Sequence, residues 1–375
     1  MAGIYIHIPY CKSKCIYCDF YSTPHTESMT QYVLSLLGEA KLRVAEINNE
    51  SIKTIYVGGG TPSVLPIALH KTLVEGLNSI FDLSRVEEFT IEVNPDDITC
   101  NYAAQLRQLG MNRVSMGVQS FNDDELLAIN RRHTAQQAIE AVKAIKEAGV
   151  TNVSIDLIYG LPGQTLDSWQ HNVEQAIALG VQHISAYCLS YEPGTRLWVM
   201  RECGKVQEVS DDDCIAMHNM LTQRLKNAGF EHYEISNFAL PGYRSRHNSS
   251  YWDFTPYLGL GAAAHSYDGA TRRYNPSSIK EYISKLSLGS TAFIEEHLEW
   301  WERYDEEVMV RLRTSDGLDT RLIAKRYGTT ALNHLLKQAQ PYINKHLLNS
   351  HNGILSLTPQ AIMVSDDIIR SLMWD

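Results

Sequence analysis

Short apolar runs rich in β-branched and aromatic residues alternate with longer amphipathic stretches over the first 230 residues. The short runs predict strands, and the amphipathic stretches predict helices. The predicted strands are 4–8, 54–57, 88–93, 113–118, 152–158 and 183–189, and the main predicted helices are 29–47, 65–81, 102–109, 135–148, 166–179 and 211–228. Six strand–helix units in a row predict a parallel sheet with helices outside it.

Glycine follows four of these helices, at Gly110, Gly149, Gly180 and Gly229. Glycine just past a helix is typical of a left-handed cap, and here it precedes each following strand. Six units are too few to close an eight-unit barrel. The expected fold class is therefore α/β, with a partial (β/α)6 TIM-like barrel.

The pattern changes after about residue 230, where short strand-like pieces mix with aromatic and small residues. From about residue 277 it is mostly helical, with one strand candidate at 354–357. We predict a barrel over 1–230, an extension of it over 231–290, and a small, mostly helical domain over 291–375. The pattern of this last domain is compatible with a winged helix.

Composition narrows the class of protein. The 375 residues are 44% hydrophobic and 20% charged, which supports a folded core and argues against disorder. A net charge of −10 excludes a general nucleic-acid-binding surface. No apolar run approaches the roughly 20 residues that span a bilayer, and the first residues show no signal-peptide pattern. We expect a cytoplasmic protein.

Polar and glycine-rich segments follow the predicted strands, at 58–62, 94–97, 119–121 and 160–163. In parallel α/β folds the active site forms at the carboxyl ends of the strands. These segments are therefore expected to share one face of the barrel.

Three cysteines, Cys11, Cys15 and Cys18, lie within eight residues just after the first strand. Three thiolates can hold an iron–sulfur cluster and leave one iron without a protein ligand. A zinc site would need a fourth ligand, for which His7 or His25 is available, and a chance grouping is the third alternative. The other cysteines are expected to be buried structural residues, namely Cys100, Cys188, Cys203 and Cys214.

The CxxxCxxC spacing resembles the signature of the radical S-adenosylmethionine (SAM) superfamily. Five segments are similar to one branch of it, which holds the oxygen-independent coproporphyrinogen III dehydrogenases and the HemW-type heme chaperones. These segments are 5–11, 58–62, 92–95, 117–121 and 156–164. The resemblance extends over nearly the whole chain, including 355–359 near its end.

The resemblance implies a [4Fe–4S] cluster on Cys11, Cys15 and Cys18, with bound SAM. It also implies which residues line the SAM pocket, namely Tyr5, Gly59, Gly60, Thr61, Glu92, Gln119, Arg131 and Asp156. These residue types suit the ligand: carboxylates accept from hydroxyls or an ammonium, and a guanidinium matches a carboxylate. Glycines let a ligand approach the backbone, although a tight turn would explain them as well.

Two functions within this branch compete, oxidative decarboxylation of a porphyrinogen and the binding and delivery of heme. The dehydrogenases carry a further cysteine two residues after the motif, where this chain has Phe20. Segment 247–252 fits the HNxxYW motif of the chaperones, which implies heme binding by His247. We expect this segment to cover the open side of the partial barrel, close to the SAM site, where a large planar ligand has room. Histidine is a common ligand of heme iron, and Tyr251 and Trp252 offer flat apolar contact. A structural histidine is the alternative. The chaperone interpretation further implies heme-accepting respiratory enzymes as partners and transient contact with the inner membrane face. It leaves open whether SAM is cleaved.

Overall fold

The computed structural model of the chain describes residues 1–47 and 50–374. The strands of its large sheet are β1 (Ala2–Ile8), β2 (Ile52–Gly59), β3 (Glu88–Val93), β4 (Arg113–Gln119), β5 (Asn152–Tyr159), β6 (His183–Cys188), β7 (Glu231–Glu234), β8 (Asn237–Ala239), β9 (Tyr257–Leu260), β10 (His265–Tyr267), β11 (Thr271–Tyr274) and β12 (Ile294–His297). The helices are α1 (Met29–Arg43), α2 (Ile67–Ile80), α3 (Cys100–Gln108), α4 (Asp123–Ala128), α5 (Ala135–Glu147), α6 (Leu166–Ala178), α7 (Arg196–Glu202), α8 (Asp211–Asn227), α9 (Arg246–Trp252), α10 (Ile279–Ser287), α11 (Trp300–Leu312), α12 (Thr320–Asn344) and α13 (Ser365–Leu372).

The first six strands pair in parallel and in chain order, so the predicted partial barrel is confirmed. The sequence did not reveal that β9 adds a seventh parallel strand beside β1, with Tyr5 opposite Gly259. Beyond β9, the sheet continues through β10, β11 and β12, and at its other edge β8 and β7 follow β6. Helix α1 ends at Arg43, earlier than predicted, and a 3₁₀ turn follows it.

Alternation along each strand separates an apolar outer layer from a polar interior. Ile4, Ile6 and Ile8 of β1 are buried in the main core, which includes Leu36 of α1. The intervening residues face inward, and the ring of Tyr5 lies 6.2 Å from that of Tyr56 inside the barrel. Polar groups can therefore approach one another within the barrel, and the helices cover the outer face of the sheet.

Glycine caps end the helices that precede the strands, as predicted. Gly110 and Gly149 have φ of 92° and 85°, in the left-handed region that favours glycine. Thr134 and Thr165 form capping boxes at the starts of α5 and α6. These local signals explain why the strand and helix bounds of the barrel were readable from the sequence.

A separate hydrophobic core, which includes Tyr304, Leu335 and Leu355, lies in the last part of the chain. It packs α11, α12 and α13 against a small antiparallel sheet of β13 (Leu318–Asp319), β15 (Ile354–Leu357) and β14 (Leu348–His351), in that order. Helix α12 is bent at Gly328, where φ is 86°. Helix, short strand, bent helix and hairpin follow one another as in a winged helix. The domain limits at 230 and 290 stay predictions.

None of the helices in the described part of the chain combines the length and the apolarity needed to cross a membrane.

Candidate functional site

A cavity of about 480 Å³ opens at the carboxyl ends of β2 to β6. Its size is in the range of pockets that hold one small ligand. Ten of the twelve predicted site residues line it, namely Cys11, Cys15, Cys18, Gly59, Gly60, Thr61, Glu92, Gln119, Arg131 and Asp156. The structure therefore brings together segments that are up to 145 residues apart in the sequence.

The cysteine loop after β1 is held to the barrel by backbone hydrogen bonds. Cys11 N donates to Thr23 O at 3.0 Å, and Thr61 N donates to Tyr10 O at 2.8 Å. A turn in the loop places Cys18 N 3.3 Å from Cys15 O. The three cysteine side chains are each half-buried on the cavity wall.

The thiols have polar and cationic neighbours. Cys11 Sγ lies 3.3 Å from Thr61 Oγ1, and Arg131 Nη1 donates to Cys15 Sγ at 3.3 Å. The Arg131 guanidinium therefore lies against the cysteine loop. Burial raises the pKa of the Cys18 thiol.

A single metal ion is not the natural ligand of this loop. Within residues 1–47 and 50–374, no three histidine, cysteine or acidic side chains converge closely enough to hold one ion. The three cysteines line one cavity, and three thiolates suit an iron–sulfur cluster, whereas a zinc site needs a fourth ligand.

Glycine is required at the end of β2 because neighbouring atoms lie too close to the backbone there to leave room for a side chain. A Cβ on Gly60 would stand 2.8 Å from Tyr10 O and 3.1 Å from Cys11 Sγ. Gly59 has φ of 110°, and a Cβ there would stand 2.7 Å from the His7 ring. A side chain at either position would displace the cysteine loop or the cavity wall, so these glycines do more than form a turn.

Two partly buried carboxyl groups form the cavity floor. Glu92 accepts hydrogen bonds from Tyr56 Oη at 2.8 Å and from Gly59 N at 3.1 Å. Burial, assisted by the neighbouring Asp156 and opposed by these hydrogen bonds, raises the pKa of Glu92 to about 7. Burial likewise raises the pKa of Asp156 to about 6, while hydrogen bonds from Ser185 and Ser115 lower it. Both groups titrate close to neutral pH and suit a hydroxyl or ammonium ligand.

Arg131 joins the cysteine loop to the ends of two strands. Besides Cys15, its guanidinium donates to the backbone oxygen of Gly117 and to Asn94 Oδ1. Its Nε has no protein partner although it is buried. Next to it, Gln119 has φ of 68°, a rare conformation for a residue other than glycine. Backbone strain of this kind is frequent at ligand sites.

Tyr5 and His247 do not belong to the described lining of the cavity. Tyr5 lies deeper in the barrel, where its hydroxyl is 3.1 Å from His7 Nδ1 and its ring is 6.3 Å from that of His247. Tyr5 is thus separated from the cavity by the layer of residues that forms its wall.

The segment that contains His247 lies at the opposite end of the barrel from the position we expected. Helix α9 contacts the starts of the strands: His247 N donates to Glu88 Oε1 at 2.9 Å, and His247 Nδ1 lies 2.8 Å from Thr54 Oγ1. His247 Nε2 lies 2.9 Å from the Tyr251 hydroxyl. The expectation that this segment covers the open side of the barrel is wrong, because its polar groups cap the amino ends of β2 and β3.

His247 is fully buried, with both ring nitrogens in hydrogen-bonding contact. Burial lowers its pKa to about 3, so the ring is neutral. In this arrangement the imidazole serves the packing of the barrel end. Heme binding by His247 stays a prediction, and it requires α9 to move.

The other four cysteines were expected to be buried, and this was wrong, because Cys214 is only partly buried and the other three are more open still. Cys100, Cys188 and Cys203 are exposed. Cys188 ends β6 and lines the cavity. Because cysteine is usually buried, residue type alone could not show that these positions lie at strand and helix ends.

Sequence reasoning also missed two residues that shape the site, Tyr56 and Ser115. Each lies near a predicted functional residue on the same or a neighbouring strand. Ser115 Oγ donates to Asp156 at 3.4 Å across β4 and β5. The period-two alternation of the strands was the available signal, since it places Ser115 and Gly117 on one face.

Comparison with protein families shows to which family the chain belongs. The model of the radical SAM superfamily matches residues 5–176, and that of the HemN C-terminal domain matches residues 298–364. The chain is 32% identical to heme chaperone HemW of Bacillus subtilis over 378 residues, with all of both chains covered. The chain belongs to the HemW family. A HemW protein of Escherichia coli is 37% identical over 270 residues, which cover 70% of this chain and 69% of that one.

A solved structure extends the comparison to the fold. Coproporphyrinogen III oxidase (HemN) from Escherichia coli, described as a radical SAM enzyme, superposes with a TM-score of 0.86. The alignment covers 100% of this chain and 90% of that one at 23% identity, so the likeness shows a shared fold. The predicted HemW-type membership of the radical SAM superfamily is confirmed.

Proposed function

We propose that this protein is a heme chaperone of the radical SAM type. It holds a [4Fe–4S] cluster on Cys11, Cys15 and Cys18, binds SAM in the adjoining cavity, and binds heme that it delivers to respiratory enzymes. The observation that carries the proposal is that three thiols, two glycines without room for a side chain and two partly buried carboxyls with raised pKa values line one cavity. The names of the relatives supply the heme part.

The donor set fits the cluster. Three cysteines leave one iron without a protein ligand, and Arg131 donates a hydrogen bond to Cys15 Sγ. When bound, such a cluster supplies single electrons to SAM. The residues of this chain hold and orient the thiols, because backbone hydrogen bonds at Thr23 and Thr61 anchor the cysteine loop.

The cavity next to the thiols fits SAM. The backbone at Gly59 and Gly60 is accessible to a ligand because no side chain covers it. Glu92 and Asp156 offer acceptors for the hydroxyl groups or the ammonium of SAM, and Arg131 offers donors for its carboxylate. Their pKa values of about 7 and about 6 make this recognition sensitive to pH near neutrality.

Heme needs a second contact surface, because a cavity of about 480 Å³ suits one ligand of this size. Two aromatic side chains stand exposed at the cavity mouth, Phe20 at 64% and Tyr187 at 44% of their full accessible area. Flat apolar faces of this kind suit a porphyrin. His247 remains a candidate ligand only if α9 leaves the barrel end.

We place this chaperone in the cytoplasm, with transient contact at the inner face of the membrane where respiratory enzymes receive heme. The sequence pattern and the HemW relatives support this location. The recipient enzymes are inferred from the family alone.

Anaerobic reconstitution of the full chain, followed by parallel titrations with hemin and with SAM, tests the proposal. We expect saturable heme binding in the visible spectrum and SAM binding that depends on the cluster. The dehydrogenase function is tested in the same preparation with coproporphyrinogen III, SAM and a reductant, and no turnover is expected. Turnover to protoporphyrinogen IX, or failure to bind heme, would contradict the chaperone function.

The role of His247 is tested with two matched variants. If His247 binds iron after α9 moves, His247→Ala changes the visible spectrum of the heme complex and weakens binding. Thr54→Val removes the ring's partner in the closed arrangement and should then strengthen binding. Equal heme affinity and unchanged spectra in both variants would remove His247 from the heme site.

A further inference from the structure

Arg113 is a buried cation inside the barrel to which residues 1–47 and 50–374 supply no ion-pair partner. It is the first residue of β4, and its exposed fraction is 1%. Its Nε and Nη1 atoms are buried and have no hydrogen-bond partner. Among the described residues, no carboxylate forms an ion pair with it. A buried charge without a partner is destabilising. Something other than an ion pair must therefore stabilise the charge of Arg113 inside the barrel.

The position of Arg113 relates it to the cavity floor. Ser115 and Gly117 follow it on the same face of β4 and lie at the cavity. Two residues of strand span about 7 Å, so Arg113 lies about one layer beneath the floor. Its register partner on β3 is Thr90, which precedes Glu92 on the inner face.

Thr90, like Arg113, has a buried polar atom without a hydrogen-bond partner among the described residues. It is fully buried, and its Oγ1 has no hydrogen-bond partner. A buried water needs two to four polar partners. Arg113 Nε, Arg113 Nη1 and Thr90 Oγ1 supply three unsatisfied groups on adjacent strands, next to the layer that carries Glu92 and Asp156.

We propose that Arg113 is a positioning residue for the cavity: through buried water shared with Thr90, its charge holds Glu92 and Asp156 in the carboxylate form that binds ligand. This rests on the proposed binding of SAM at that floor. Arg113 does not touch the ligand. It acts through the two carboxylates, and the water spreads its charge without a direct ion pair.

The electrostatics of the floor agree with this geometry. Burial is the main influence on both floor carboxyls and raises their pKa, whereas the charge of Arg113 acts in the opposite direction on each. Other charged or titratable groups also face the two carboxyls from the neighbouring elements, and these are Tyr5, Tyr56, Arg131, Tyr187 and Tyr251. Of these, Arg131 is also cationic, but it is already bonded to Cys15, Asn94 and Gly117.

The test compares Arg113→Met with Arg113→Lys in the cluster-loaded full chain. SAM affinity is measured calorimetrically from about pH 5.5 to 8.5. In the wild type and in Arg113→Lys, we expect affinity to rise as the floor carboxyls ionise between about pH 6 and 7. Arg113→Met should lose about tenfold in affinity at pH 7, with its midpoint about one unit higher and recovery above pH 8. An equal loss at every pH, or no loss, would overturn the proposal, because a packing role does not move the midpoint.

A second readout uses the metal-free chain without SAM, so it separates this proposal from the proposed function. Stability against urea falls as pH rises through the range in which the floor carboxyls ionise. In Arg113→Met that fall should extend about one pH unit higher than in Arg113→Lys. If wild type fails to bind SAM but this shift appears, the proposed SAM site is wrong and the effect of Arg113 on the floor stands. If the shift is absent, the role of Arg113 is wrong.

The water itself is tested by a crystal structure at high resolution. We expect ordered solvent within hydrogen-bonding distance of Arg113 Nε and Thr90 Oγ1. A dry contact in which Glu92 or Asp156 binds the guanidinium directly would overturn the water link.

Discussion

The Tyr56 hydroxyl donates a 2.8 Å hydrogen bond to Glu92 Oε1 inside the barrel. On its other side, the Tyr56 ring stacks on His247, with ring centroids 5.2 Å apart. One tyrosine therefore contacts both the floor of the cavity and the helix that closes the opposite end of the barrel. Neither contact was expected from the sequence.

Replacing Tyr56 by phenylalanine tests the floor contact. The hydrogen bond from Tyr56 lowers the pKa of Glu92, so its loss should raise that pKa from about 7 and weaken SAM binding at neutral pH. The missing bond should also cost about 1–3 kcal/mol of unfolding free energy. Urea unfolding and SAM titration measure the two effects. Unchanged SAM affinity between pH 6 and 8 would show that Glu92 does not bind the ligand.

Alanine at Gly60 tests the close approach of the backbone to the cysteine loop. The added Cβ would press on Tyr10 O and Cys11 Sγ, so the iron bound after reconstitution should fall by about half or more. Gly38→Ala is the matched control, because a Cβ there meets nothing within 4 Å in the middle of α1. That control should keep its iron and gain about 0.5–1 kcal/mol. Full iron content in Gly60→Ala would contradict the packing at the loop.

His247→Ala should destabilise the chain by about 2–4 kcal/mol, because it removes a buried ring and two hydrogen bonds. Cluster assembly should survive, since the cysteine loop lies at the other end of the barrel. His171, exposed on α6, is the control, and its replacement by alanine should stay within about 0.5 kcal/mol. Loss of the cluster in a still-folded His247→Ala chain would contradict the separation of the two ends.

The two floor carboxyls predict how stability depends on pH. Their folded pKa values, about 7 and about 6, lie above the ordinary values of 4.5 and 3.8. The folded state therefore binds more protons in that window, and unfolding free energy should fall as pH rises from about 4 to 7. Glu92→Gln, measured without metal or ligand, should flatten this fall. A fall of equal size in Glu92→Gln would contradict the raised pKa.

Much of the barrel could be predicted because its signals are local. Strand 88–93 and strand 354–357 were placed correctly from apolar alternation between turn residues. The cysteine motif and the strand-end glycines located one wall of the site. By contrast, β9 is a four-residue strand whose parallel pairing with β1 spans more than 250 residues, and no local pattern reports such a contact.

The position of α9 could not be predicted either, because it also depends on contacts between residues that are far apart in the sequence. The residue types His247, Tyr251 and Trp252 suit a porphyrin, but they equally suit a buried aromatic cluster. Which of the two forms depends on partners such as Thr54 and Glu88, which lie far away in the sequence. Arg113 was missed for a related reason, since its significance lies in the absence of a partner in the folded barrel.

The most direct test of the central claim is the metal content of the anaerobically reconstituted chain. We expect about four iron and four sulfide per wild-type chain, with the visible absorbance of a [4Fe–4S] cluster. Alanine at Cys11, Cys15 or Cys18 should abolish that absorbance, and alanine at Cys203, an exposed cysteine outside the described cavity lining, should leave it unchanged. Assembly of the same cluster in the triple Cys11, Cys15 and Cys18 alanine variant, or one zinc and no iron in the wild type, would contradict the account.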